Sequence, residues 1–202
     1  MSVGIQPDEV LEFWLGTIRD DGSVAEDVPP RWWKKDPDFD AEIEDRFGPA
    51  IRAAEAGELD AWTESPRGLL AVIVLLDQFT RNTRRGRADM YAADDRAQAL
   101  VRKALARGDE SSLRGYERYF LYMPLMHSES LADQNQCVEL FRTLAEDGEP
   151  GVQESARSGV DYAIKHRDIV ARFGRFPHRN EILGRESSDE EREFLTQPGS
   201  SF

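Results

Sequence analysis

Residues Ser65–Asn82 read SPRGLLAVIVLLDQFTRN, and the run LLAVIVLL at 69–76 decides the fold class. Ser65 followed by Pro66 supplies a hydroxyl cap and a proline in the first turn, the two features that open a helix. The segment predicts a fully buried helix running to about Thr80. Eight residues rise only about 12 Å as a helix, far short of a membrane core near 30 Å, so the run does not predict a membrane span.

Working outward, every other regular segment also carries helix signals. Pro7 opens VLEFWL and Gly16 closes it. An Asp-, Gly- and Pro-rich loop is expected over 19–30, followed by RWWKKD, whose Trp32 and Trp33 are expected in the core. Phe39, Ile43, Phe47, Ile51 and Ala54 recur at spacings of four and three, with Pro49 expected to kink or divide that helix and Gly57 to end it. Helices are predicted over 94–107, from Ser111 or Ser112 to an interruption at Pro124, from Ser128 or Ser130 to about Glu146, and over 150–173. Ser188-Asp-Glu-Glu191 is a capping box for a last one. No stretch alternates convincingly as a strand. The fold class is all-α: about eight helices stacked as antiparallel hairpins in one domain over 1–202, with a frayed tail at 196–202. No 34-residue sequence repeat of the tetratricopeptide kind is present.

The chain has 202 residues and a formal charge of −13, with 40% hydrophobic and 32% charged residues. A field of that sign repels phosphate, so neither nucleic acid nor an anionic membrane is an expected partner. The single cysteine, Cys137, excludes an internal disulfide and reads as a small buried apolar side chain. No basic segment followed by an apolar run marks a secretory leader, and the expected location is cytoplasmic.

Three polar stretches do not fit a plain helical stack. DQFTRNTRRGR, Asp77–Arg87, makes a buried helix polar near its end and places four arginines within seven residues. Cations suit a helix C-terminus, and their planar forks also suit a carboxylate ligand. In YERYFLYMPLMHSES, Tyr116–Ser130, an aromatic and methionine stripe that includes Tyr119 and Met123 leads to His127, Ser128 and Glu129 beside a proline. RFGRFPHRN, Arg172–Asn180, has a helix stop at Gly174, an anchor at Phe176–Pro177 and a cap at Asn180 for the short segment EIL. Arg172, Arg175, His178 and Arg179 remain without a structural explanation.

LLDQFTRNTRRG, YFLYMPLMHSE and RFGRFPHRNEILGR, in this order, resemble the bacterial family known as domain of unknown function 924. VLEFWLG and the RWW segment add to the likeness, which spans about Pro7 to Leu195. Thr80 stands where that family commonly has proline. The resemblance implies an all-helical fold related to tetratricopeptide-like stacks. It implies no activity and no catalytic residues.

Three functions fit these residues. A binding module would hold an acidic small molecule or peptide carboxylate in a groove lined by Arg81, Arg85, Arg172, Arg175, Arg179, Tyr119 and Met123. A small hydrolase- or lyase-type enzyme would use His127 or His178 as acid or base, oriented by Glu129 or Asp77. A structural network would pair these charges with each other. No phosphate loop, HExxH or GxSxG pattern is present, His127, His166 and His178 are too scattered for a local metal motif, and no cofactor is expected. Oligomeric state is not encoded in any motif.

Overall fold

The computed structural model describes residues 4–201. Residues 1–3, where a leader would begin, and residue 202 of the tail lie outside the described residues. The described chain is helical, with α1 (Pro7–Leu15), α2 (Val28–Trp33), α3 (Pro37–Glu55), α4 (Pro66–Ile73), α5 (Thr80–Thr83), α6 (Asp94–Arg107), α7 (Gly115–Met126), α8 (Leu131–Asp147), α9 (Pro150–Phe173) and α10 (Asp189–Leu195). A π-helical stretch, Val74–Phe79, joins α4 to α5, so residues 66–83 form one continuous rod.

The rod is the centre of the molecule. Ser65 Oγ accepts from the Gly68 amide at 3.1 Å, and Pro66 takes the first helical position. Every residue of the apolar run is fully buried, from Leu69 to Leu76. The rod packs against α1, α3, α6 and α7. With side chains buried all round, its stability comes from these neighbours rather than from propensity. An aromatic cluster seals one side: Trp14 meets the rings of Phe79 and Phe120 at 5.6 Å each, and Phe47 meets Phe79 at 5.0 Å. Trp32 Nε1 donates to the Trp14 carbonyl at 2.8 Å and ties α2 to α1.

Helices α7, α8 and α9 form the other half, each packed on the next across a short turn. Gly159 permits the α8–α9 approach, since a Cβ there would stand 2.6 Å from Phe141 Cδ1. A small separate apolar cluster, Ile169, Val170 and Phe176 with Phe173 and Phe194, anchors the turn after α9 and the last helix.

Several local expectations change. Pro49 does not divide α3, and Pro124 does not interrupt α7, which continues to Met126. Pro124 lies so near the C-terminus that losing one amide costs little, and the His127 amide still reaches the Met123 carbonyl at 3.3 Å. The expected loop ends early, because Val28, Pro29 and Pro30 already belong to α2. Residues 181–184 form turns, not a helix, and Asn180 is a clamp: its amide donates to Ser187 Oγ at 3.1 Å while its carbonyl oxygen accepts from Arg185 Nε at 3.0 Å. In the tail, Ser200 is buried and donates to the Leu195 carbonyl at 3.2 Å. No helix among the described residues is long and apolar enough to cross a membrane.

Candidate functional site

The site begins where the rod turns polar. Asp77 lies in the π stretch, fully buried, and Arg81 follows on α5. π turns inside α-helices are frequent at functional sites, because the wider turn re-aims side chains. Arg81 Nη1 sits 3.0 Å from Asp77 Oδ1 and donates to the Asp77 carbonyl at 2.9 Å. Its Nη2 reaches Asp94 Oδ2 at 3.0 Å, at the start of α6.

His127 caps α7 and comes to the same place. Its Nδ1 is 2.7 Å from Asp77 Oδ1. Burial alone would raise the Asp77 carboxyl, but the Arg81 charge, His127 and the Gln78 amide at 2.5 Å outweigh it and hold it at about 2. Burial and then the Arg81 charge push His127 below its ordinary value. Asp77 is therefore ionised and His127 neutral near pH 7, with the proton on Nδ1 donated to Asp77.

The turn after α9 supplies Arg179 and His178. The Arg179 guanidinium lies between two rings, 4.6 Å from the centroid of Tyr91 and 4.5 Å from that of Phe176. Nη1 reaches Asp94 Oδ2 at 3.3 Å and Nη2 donates to the His127 carbonyl at 2.9 Å. Asp94 thus serves two arginines, one 13 and the other 85 positions away in the chain. Burial first, then Arg179, takes His178 down to about 4. His166, on α9, falls to about 3, chiefly through burial, and its Nδ1 is 2.8 Å from the Tyr162 carbonyl.

These side chains border a cavity of about 740 Å³. Its polar lining includes Arg81, Arg85, Arg179 and Lys35, with the three histidines. Among the described residues that line it there is no Asp or Glu. The acids that neutralise three of the cations sit behind the wall: Asp77 and Asp94 as above, and Asp40, which takes Arg85 through two contacts of 2.8 and 3.2 Å. Trp32, Tyr116, Tyr119, Met123 and Met126 form an apolar side. Trp33 and Tyr162, 57% and 53% exposed, stand at the rim. A second hollow of about 760 Å³ holds Glu129, Asp94, Asp95 and Asp133 and shares Tyr91, His127 and Arg179 as a wall with the first.

Of the residues expected at one site, Asp77, Arg81, Arg85, His127, His178, Arg179, Tyr119 and Met123 line the cavity or directly back it. Glu129 does not orient a histidine; it takes Arg185 at 2.7 and 2.9 Å and the Phe176 amide at 2.8 Å. Arg172 and Arg175 also lie elsewhere. Arg172 pairs with Glu190 and Arg175 with Glu191, so both fasten α10 rather than face the cavity. Trp33 is an exposed rim residue and not core.

Sequence reasoning missed Asp94, Tyr91, Tyr162 and the position of His166. Only Asp94 had a readable signal: it precedes Ala97 by three and Val101 by seven, which sets an acid on the apolar face of α6.

No curated protein matches the chain. A solved structure, that of a protein of unknown function from Agrobacterium tumefaciens, is 39% identical, covers 94% of this chain and 96% of its own, and superposes with a TM-score of 0.79. The model of the bacterial proteins of unknown function DUF924 matches residues 10–199. The three polar motifs that build the cavity wall all fall inside that match, and the chain belongs to the DUF924 family.

Proposed function

We propose that the protein binds a small organic anion with an apolar or aromatic body. One observation carries the reading: a chain of charge −13 presents Lys35, Arg81, Arg85 and Arg179 to one cavity, and no carboxylate stands among the described residues of its lining. The anionic end would meet the arginines, which retain unspent N–H groups, and the body would lie against Trp32, Tyr119 and Met123. The volume suits a small molecule better than a peptide. With its one cysteine a buried thiol, the protein suits the reducing cytoplasm. A purely structural network explains Arg172 and Arg175, but it gives no reason for an open cavity beside paired arginines.

Thermal melting against aliphatic and aromatic mono- and dicarboxylates tests this. A ligand at 100 times its Kd adds about 2.7 kcal/mol to stability and raises Tm accordingly. An Arg85→Ala, Trp33→Ala double variant should lose the rise. If no anion shifts Tm, or if the variant shifts equally, the reading fails.

A further inference from the structure

We propose that the cavity is also catalytic, with His127 as general base in the hydrolysis of an ester of a small organic acid and Asp77 as its positioning residue. The proposal rests on the binding reading above, because the bound anion must bring its acyl carbon to His127.

The geometry is that of an aimed base. The Asp77 carboxylate is fully buried and held by Gln78 and Arg81, so it has one orientation to offer. Its 2.7 Å contact to Nδ1 fixes the imidazole and leaves the Nε2 lone pair for the cavity. No described residue makes a hydrogen bond to Nε2. Among the described residues no Ser, Thr or Cys hydroxyl or thiol is bonded to His127, and Cys137 is buried with its thiol pushed up by burial. Among the described residues no serine, threonine or cysteine is therefore paired with His127 as a nucleophile, which favours water.

The wall also holds donors for the charge that would develop. Arg179 is tied to the carbonyl of His127 itself, so its guanidinium is fixed beside the base. Of five N–H groups each, Arg81 commits no more than three and Arg179 two. In the step, Nε2 takes a proton from water as the water oxygen bonds to the acyl carbon. The carbonyl oxygen becomes an oxyanion facing Arg179 and Arg81. Collapse breaks the bond to the alkoxide, which takes the proton back from Nε2. Hydrolysis is favoured over proton removal from carbon because the rim is open, and water would compete at an unshielded base.

The groups facing His127 are Asp77 and Arg81 from the rod, Asp94 from α6, His166 from α9, and His178 and Arg179 from the turn after α9. Only the neutral imidazole is a base, so the rate should rise with pH through a midpoint below that of free histidine and then level off.

The probe is a 4-nitrophenyl half-ester of a short dicarboxylic acid, followed by nitrophenolate release, with Tm shifts by the parent diacid measured in parallel. Turnover by the wild type, lost by about 10²-fold or more in a folded His127→Gln variant that still binds the diacid, is the expected result. Diacid binding with no turnover above buffer overturns the catalytic proposal and leaves the binding reading standing. Neither binding nor turnover overturns both. Turnover within about threefold of wild type in His127→Gln removes His127 from the role.

Discussion

Arg179 and Asp94 are 85 positions apart in the chain and meet at 3.3 Å, with Arg81 on the same carboxylate oxygen at 3.0 Å. This contact joins the turn after α9 to the start of α6 and closes one wall of the cavity. Without the carboxylate, two guanidinium groups would face each other in a largely buried place.

Asp94→Asn should therefore be among the most damaging single substitutions. Removing one member of a buried charged group typically costs about 3–5 kcal/mol, here because Arg179 loses its carboxylate partner while Arg81 keeps only Asp77. Urea unfolding would measure it. A loss under about 1 kcal/mol would mean that water, and not Asp94, satisfies these arginines.

Acid should destabilise the protein in two stages. His166 and His178, folded at about 3 and about 4, are depressed below the unfolded value. The unfolded chain then binds more protons, so stability falls as pH drops from about 6.5 toward those values, by up to about 1.4 kcal/mol per pH unit per histidine. Asp77, held at about 2, contributes stability that is present above its unfolded value and is lost as pH falls from about 4 toward 2. Unfolding free energies measured from pH 8 to 3 should show the first slope, and His166→Gln should reduce it. An unchanged slope in that variant would assign the protons elsewhere.

Gly159→Ala should weaken the α8–α9 contact although alanine is the better helix former. The added methyl would meet Phe141, whose ring packs edge-on against Tyr119 at 4.9 Å. Overpacking of this kind costs about 1–3 kcal/mol, more than the propensity gain of about 1 kcal/mol. Because Tyr119 lines the cavity, the same variant should bind an anion more weakly. Equal stability and equal affinity would show that Phe141 yields freely.

Cys137 should be silent in the native state. Its side chain is fully buried, and burial raises its thiol above the ordinary range. Ellman's reagent should find no thiol in buffer and one per chain in denaturant. Rapid native labelling would mean that α8 opens readily.

The rod was legible because its signal is contiguous: a cap, a proline and eight apolar residues in a row. The choice of Asp77, Arg81, His127 and Arg179 as exceptional residues was legible too, since each breaks a local pattern. Their pairing was not. Arg172, Arg175 and Arg179 look alike within one nine-residue stretch, yet only Arg179 turns inward, because α10 brings Glu190 and Glu191 to the other two. Glu129 was misread for the same reason, its partner Arg185 lying 56 positions away. Proline was overread: a missing amide matters at mid-helix, while Pro124 sits in the last turn of α7.

The π stretch at 74–79 sets an angular phase for everything after it. An α-helix turns about 100° per residue, and a wider turn lags behind that count. Asp77 and Arg81 thus reach His127 and Asp94 on a clock that a regular helix would not keep. Were the same residues to coil as a regular helix, Asp77 and Arg81 would swing round the rod by about one residue's turn, away from their partners. The widened turn, and not only the side chains it carries, therefore sets where the acid and the arginine stand in the cavity wall.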